Sequence, residues 1–532
     1  MATKSSSLEG IRFSVLGFNL PVIQWIWSSL FRGAAVAMGL AGAAGFALAK
    51  LMPRGPADTS QALAMMAVCM FTGILAGFAL PSRWGIVLAL LAHMAAFELG
   101  RIDALGPTVD VPRLGSTYGI LAFLLGRGFQ SIVGLLPLVY GASLGRRIAR
   151  RFLSAAELGC SYLQPAASDG STAGSVFTVL IGIALVALAV LIALPAHTPP
   201  ILGEDGKPLA GSIAELTNVR LGGQEQAIMI RGESVDNPVL LYLSGGPGQT
   251  DLPYTRVILQ DLEKDFIIVG WDQRGSGKSY AALDPVSTLT LDQAISDTIE
   301  LADYLRARFD EEKIYLLGES WGSTLGVLAA QQQPDRFYAF IGSGQMVSQR
   351  ETDRRLYRDV LDLAAQTGDE ALAEKMFAYG EPPYEEVLAY SFVMEQYDRL
   401  YKPHTPPQAY TERGTAADLG PWGIKGSEYN LVEKVNVLRA ALDMFSVMYP
   451  QLQGLDFRKD VPSLDVPVYI LDGAAELTSR RDLALEWYMQ LRAPIKHLYP
   501  FDNSAHSTAY EQFEAFHRIL LETVLPETYP GQ

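Results

Sequence analysis

Cysteine is nearly absent: 532 residues include two, Cys69 and Cys160. The first lies in an apolar run and the second in a polar connection, so no disulfide framework is in prospect. Their scarcity fits either side of a membrane and does not assign a compartment. Histidine is sparse too, with six copies, which leaves few candidates for chemistry that needs an imidazole. Charged residues make up 19% of the chain and are unevenly spread. Residues 1–199 hold 13 Lys+Arg against 7 Asp+Glu, a balance of +6, and the remainder stands at −21. The acidic remainder excludes nucleic acid as a natural partner, because phosphate binding needs a basic face.

Where charge is missing, long apolar runs take its place. Stretches of the length that crosses a bilayer core fall at about 31–52, 61–81, 115–144 and 174–196, with a shorter one at 84–99. SVFTVLIGIALVALAVLIALPA, the last, has no charge at all. A cleavable leader is a poor reading of the start, since further apolar runs follow it. The sequence therefore predicts an all-α transmembrane domain of about five helices over 1–199. Arg127 interrupts the 115–144 run, which predicts a helix break or an interfacial segment with Arg127 at a headgroup. GRRIARR (145–151) has four arginines and belongs on the cytoplasmic side, as do Lys4, Arg12 and Arg32. That orientation puts the N-terminus in the cytoplasm and everything after about Pro199 outside it, which suits a bacterial inner membrane. The expected role of the five spans is anchoring.

His197–Pro208 (HTPPILGEDGKP) is rich in Pro and Gly and reads as a linker. Beyond it, apolar runs end in glycine-rich or acidic turns: VLLYL into SGGPGQ, FIIVGW into DQRGSGKS, KIYLL into GESWGS, VPVYIL into DGAAE. Helical stretches such as Leu291–Phe309 separate them. Buried strands alternating with helices predict an α/β fold with a mostly parallel sheet, whose ligands bind at the carboxyl ends of the strands. The strand signal lapses over 345–465, where helices rich in charge and tyrosine predict a cap inserted between core segments 200–344 and 466–532.

Gly318-Glu319-Ser320-Trp321-Gly322 fits G-x-S-x-G, with a strand before it and a helix, STLGVLAAQQQ, after it. That context makes Ser320 a candidate nucleophile on a strand-to-helix elbow, with the Trp321 amide as one oxyanion donor. A second donor is expected from SGGPGQ, with Gly246 preferred and Gly245 the alternative. Serine needs a base. His93 falls in an apolar run, His197 in the linker, His404 in the cap, His497 in a strand-like segment and His517 on the last helix. His506, in a polar loop after the last strand, stands where such a sheet presents its base. The orienting acid is expected between them in sequence. Asp472 and Glu476 both qualify, and Glu476 is favoured for its reach to His506.

SGGPG, DQRGSGKS and GESWGS, in that order, resemble the motifs of the α/β-hydrolase proline iminopeptidase group over about residues 212–532. The resemblance implies an α/β-hydrolase fold with a helical cap, Ser–acid–His chemistry and no cofactor or metal. Gly473-Ala474-Ala475-Glu476 keeps the register of the family's acid turn with Glu in place of Asp. Ser244 replaces the family's leading histidine. Relatives hold the substrate amine with cap glutamates, which makes Glu381, Glu385, Glu386 and Glu395 candidate substrate contacts, although no tryptophan–glutamate pattern accompanies them. The expected function is a membrane-anchored serine aminopeptidase acting on small peptides or amides. The alternatives are an esterase or lipase working on amphiphiles at the bilayer surface, and a catalytically retired membrane sensor. Arg274 and Asp272 are expected to hold their loop by pairing with each other or with backbone groups.

Overall fold

The computed structural model describes residues 14–15, 18–19, 21–152, 172–384, 387–420 and 423–530. Lys4, Arg12, Cys160, Glu385 and Glu386 lie outside them. The chain divides into two compact units, the first mainly up to Leu194 and the second mainly from Pro195 onward.

In the first unit the apolar runs form helices α1 (Leu30–Leu51), α2 (Thr59–Ala79), α3 (Arg83–Gly100), α4 (Thr117–Arg150) and α5 (Thr172–Ala193). All five are long and apolar enough to cross a membrane. In a bilayer, apolar surface alone would give such helices no preference for one another, and close backbone approach would have to supply the packing. Small residues allow it here. A Cβ on Gly77 of α2 would come within 2.0 Å of the Ala142 carbonyl oxygen, and one on Gly145 of α4 within 1.9 Å of the Ile74 carbonyl oxygen. α4 is not broken at Arg127. It continues through two π turns, Leu124–Gly128 and Ser131–Leu135, and protein groups satisfy the arginine. Its Nη2 donates to Glu98 Oε2 at 3.2 Å and to the Val109 carbonyl at 3.1 Å.

The second unit is built on an eight-stranded sheet: β1 (Ile213–Leu221), β2 (Gln224–Gly232), β3 (Val239–Leu243), β4 (Ile267–Trp271), β5 (Ile314–Glu319), β6 (Phe337–Ser343), β7 (Val468–Gly473) and β8 (Lys496–Phe501). The spatial order is β8-β7-β6-β5-β3-β4-β2-β1. β3 to β8 run parallel, while β2 is antiparallel to both β1 and β4. Every residue of β3, β4, β5, β6 and β7 is buried, as unbroken apolar runs require of strands covered on both faces. Helices α6 (Leu291–Phe309) and α7 (Trp321–Gln332) follow β4 and β5.

Between Ser343 and Val468 the regular elements among the described residues are all helices. They include α8 (Val387–Met394) and α9 (Leu431–Leu452), the latter opened by a capping box of Asn430 and Glu433. The cap has its own core around Leu356, Val360, Met376, Tyr390 and Tyr449. Helix α10 (Thr478–Gln490) follows β7.

Residues 197–208 are not a free tether. The His197 amide donates to the Ser427 carbonyl at 2.9 Å, and buried Arg231 reaches Thr198 Oγ1 at 2.7 Å while pairing with Glu263 at 2.6 Å. The β1–β2 hairpin turns through Gly222-Gly223, both at positive φ, which lets a two-residue loop match the strand twist. Arg274 secures that turn rather than pairing with Asp272. Its Nε and Nη2 reach the two oxygens of Asp297 at 2.8 and 3.0 Å, and Nη2 also reaches the Leu221 carbonyl at 3.0 Å. Both partners are almost wholly buried. Replacing Arg274 by methionine strands a buried carboxylate and is expected to cost about 3–5 kcal/mol. Thermal unfolding of the detergent-solubilised protein measures this, and an unchanged Tm would contradict it.

Candidate active site

Strand pairing delivers the expected turns to one place. Leu243 lies opposite Gly318 and Glu319 opposite Ser343, so the loops leaving β3, β5 and β6 start side by side. Here the strand order switches sides, the crevice where open parallel sheets bind ligands.

Ser320 sits between β5 and α7 with φ 52° and ψ −118°, backbone that a non-glycine residue adopts only under constraint. The constraint is visible. Its amide donates to the Ser343 carbonyl at 3.0 Å, and the Ser323 hydroxyl donates to its carbonyl at 2.6 Å. A Cβ on Gly322 would stand 1.9 Å from the Leu243 carbonyl oxygen, so the helix packs this close to β3 only with glycine there. The Trp321 amide opens α7, where backbone N–H groups have no partner within the helix. On the β3 side, Gly246 takes φ 114°, and its amide meets no acceptor among the described residues. Gln273 ties the two sides together. Its Oε1 accepts from Trp321 Nε1 at 2.8 Å and its Nε2 donates to the Ser244 carbonyl at 3.1 Å. Asp272 instead accepts from the Lys278 amide at 2.8 Å and from the Tyr429 hydroxyl at 2.9 Å. Burial pushes its carboxyl up to about 7 against those two hydrogen bonds.

The two acid candidates have different partners. Arg481 Nε lies 3.0 Å from each oxygen of Asp472, and its Nη2 donates to Oδ2 at 2.7 Å. Glu476 is bonded through Oε2 to Nδ1 of His506, and Oε1 accepts from the Leu477 amide at 2.7 Å. Burial raises the Glu476 carboxyl, but His506, Arg480 and that amide outweigh it and hold the group below its ordinary value. The remaining histidines are elsewhere. His93 is buried within α3, half-buried His404 meets the Lys402 carbonyl, His497 faces Glu527 and His517 faces Asp265.

Ser320, Trp321, Gly246 and His506 line one cavity of about 260 Å³. Its cap side is apolar and aromatic, with Val387 and Tyr390 of α8 and Leu438, Leu442 and Phe445 of α9. Glu381 and Glu395 are exposed, and neither lines the cavity. Two ionisable groups that sequence reasoning passed over do line it: Arg480, on the first turn of α10, and Glu319, the residue before the nucleophile candidate. Glu319 is buried and pushed up to about 7, tempered by His506 and by the nearby hydroxyls of Ser343 and Ser507, neither of which closes a hydrogen bond of normal geometry to it. Gln273 was within reach of sequence reading, as part of DQRG. Arg480 had no local signal.

Residues 238–425 match the α/β hydrolase fold family. The chain is 31% identical over 316 residues to the probable aminopeptidase YbaC of Bacillus subtilis (strain 168), an alignment covering 59% of this chain and 97% of that one. It is 27% identical over 263 residues to the proline iminopeptidase of Lactobacillus delbrueckii subsp. lactis, covering 48% and 80%. Among solved structures, a proline iminopeptidase-related protein from Thermus thermophilus superposes with a TM-score of 0.43 at 22% identity, covering 60% of this chain and all of that one. The protein belongs to the α/β-hydrolase family and is a hydrolase.

Proposed function

We propose that the protein is a membrane-anchored serine hydrolase of the proline iminopeptidase type, releasing N-terminal residues from small peptides or amides. The observation behind this reading is the strained Ser320 elbow sharing a cavity with His506, whose Nδ1 is bonded to buried Glu476. In the proposed reaction Ser320 Oγ attacks the substrate carbonyl as His506 takes its proton. The amides of Gly246 and Trp321 hold the resulting oxyanion. Glu476 fixes the imidazole and stabilises its charged form. His506 then protonates the leaving amine, and water, activated by the same histidine, releases the acyl group from Ser320. The names of the aminopeptidase relatives support peptide or amide substrates.

A second reading has its own support. The apolar cap wall, with neither Glu381 nor Glu395 on it, suits an acyl chain and thus an esterase acting on amphiphiles. Membranes treated with a fluorophosphonate probe and then screened with aminoacyl amides and acyl esters separate the two. Labelling with amide turnover is the expected result, ester turnover alone favours the second reading, and an unlabelled wild-type protein overturns both.

The five apolar helices and the GRRIARR segment support an anchored protein with its hydrolase unit outside the cytoplasm. Protease added to sealed spheroplasts is expected to remove that unit. Full protection would reverse the orientation.

A further inference from the structure

We infer that Arg480 is a positioning residue of the hydrolytic reaction, holding the Glu476–His506 pair and the cap tyrosines in register. The inference rests on the proposed roles of Ser320, Glu476 and His506. Arg480 Nη1 stands 3.8 Å from Glu476 Oε1 and 3.5 Å from His506 Nδ1, with the side chain 7% exposed. Its guanidinium lies over the Tyr397 ring, 4.7 Å from the centroid, and the Tyr397 hydroxyl is 3.0 Å from that of Tyr390. Tyr390, Tyr397 and Tyr401 come from the cap and line the cavity with Arg480. One side chain therefore touches the acid, the base and the cavity's cap wall.

Stability alone does not account for this arrangement. The Nε of Arg480 is buried without an acceptor, a cost that an apolar side chain of similar size would avoid. The guanidinium also places a permanent positive charge beside the imidazole. A cation at this distance opposes the imidazolium, whereas Glu476 and the buried Glu319 favour it. The other groups facing Arg480 are the three tyrosines and, more remotely, Asp353. Arg480 thus helps keep Glu476 ionised and holds it against Nδ1 of His506.

The test compares Arg480→Met and Arg480→Lys in the full-length protein, with kcat/KM followed against pH on a substrate that the wild type turns over. Arg480→Met is expected to lower kcat about 10- to 100-fold and to move the acidic limb of kcat/KM upward by about one pH unit. Arg480→Lys retains the charge and is expected to keep the limb near its wild-type position while losing part of the rate. A folded Arg480→Met protein with the wild-type limb overturns the inference, as does a limb that moves equally in both variants. If Arg480→Met does not fold, the lysine variant decides: wild-type kcat and KM in it would overturn the inference, because an ammonium cannot reproduce the guanidinium's simultaneous contacts with Glu476, His506 and the Tyr397 ring. A wild-type protein that no fluorophosphonate labels would instead fail the underlying reading.

Discussion

Ser320→Ala is expected to abolish turnover, lowering kcat by about 10⁵-fold or more, and to remove fluorophosphonate labelling completely. The expectation is sharp because the substitution deletes one oxygen and little else. Alanine keeps the Cβ, so the φ of 52° costs it what it costs serine, and the Ser343 carbonyl still receives the amide of residue 320. The fold is therefore expected to remain, with Tm close to wild type. Ser320→Gly makes a companion test. Glycine relieves the positive-φ strain and is expected to raise stability by about 1 kcal/mol while leaving the protein equally inactive. Stabilisation with loss of activity is the mark of strain held for function. Labelling that survives in Ser320→Ala would remove Ser320 from the mechanism.

The elbow was legible in sequence because its constraints are local. Tight turns need glycine, the proposed nucleophile sits between strand and helix, and both signals lie within a dozen residues of Ser320. The buried strands β3, β4, β5 and β7 were legible as apolar runs ending in turns. The β1–β2 hairpin was not, since edge strand β1 is half-exposed and both strands, including the largely buried β2, are mixed in composition, with only Gly222-Gly223 to mark the turn. β6 was missed although the short Pro334–Arg336 turn separates FYAFIGS from α7. Arg274 shows a different limit. Its place in DQRG was plain, but its partner Asp297 lies 23 positions away on α6 and only the folded sheet brings them together. Arg480 is the extreme case, an ordinary helix-start arginine in sequence that tertiary packing buries against Glu476, His506 and Tyr397. The cap glutamates show the converse limit. Composition offered four acidic side chains, and of the two described, Glu381 and Glu395, both turn to solvent.

Exchanging each acid candidate for its amide is expected to split them. Glu476→Gln is expected to lower kcat by about 10⁴-fold, because an amide cannot stabilise the imidazolium and can present its NH₂ to Nδ1, favouring the wrong tautomer. The defect lies in the transition state, so KM is expected to move far less than kcat. Asp472→Asn weakens the contact with Arg481, whose side chain is 25% exposed and can turn to water. That variant is expected to keep kcat within a few-fold of wild type and to lose some thermal stability instead. Glu476→Asp adds a third point. The shorter carboxylate retains its charge but must reach one methylene further to His506, so activity between the wild type and Glu476→Gln is expected. A severe kcat defect in Asp472→Asn with near-normal Glu476→Gln would reassign the acid. The geometry argues against that outcome for a simple reason: Arg481 already occupies both oxygens of Asp472, whereas Glu476 divides its oxygens between a backbone amide and the histidine.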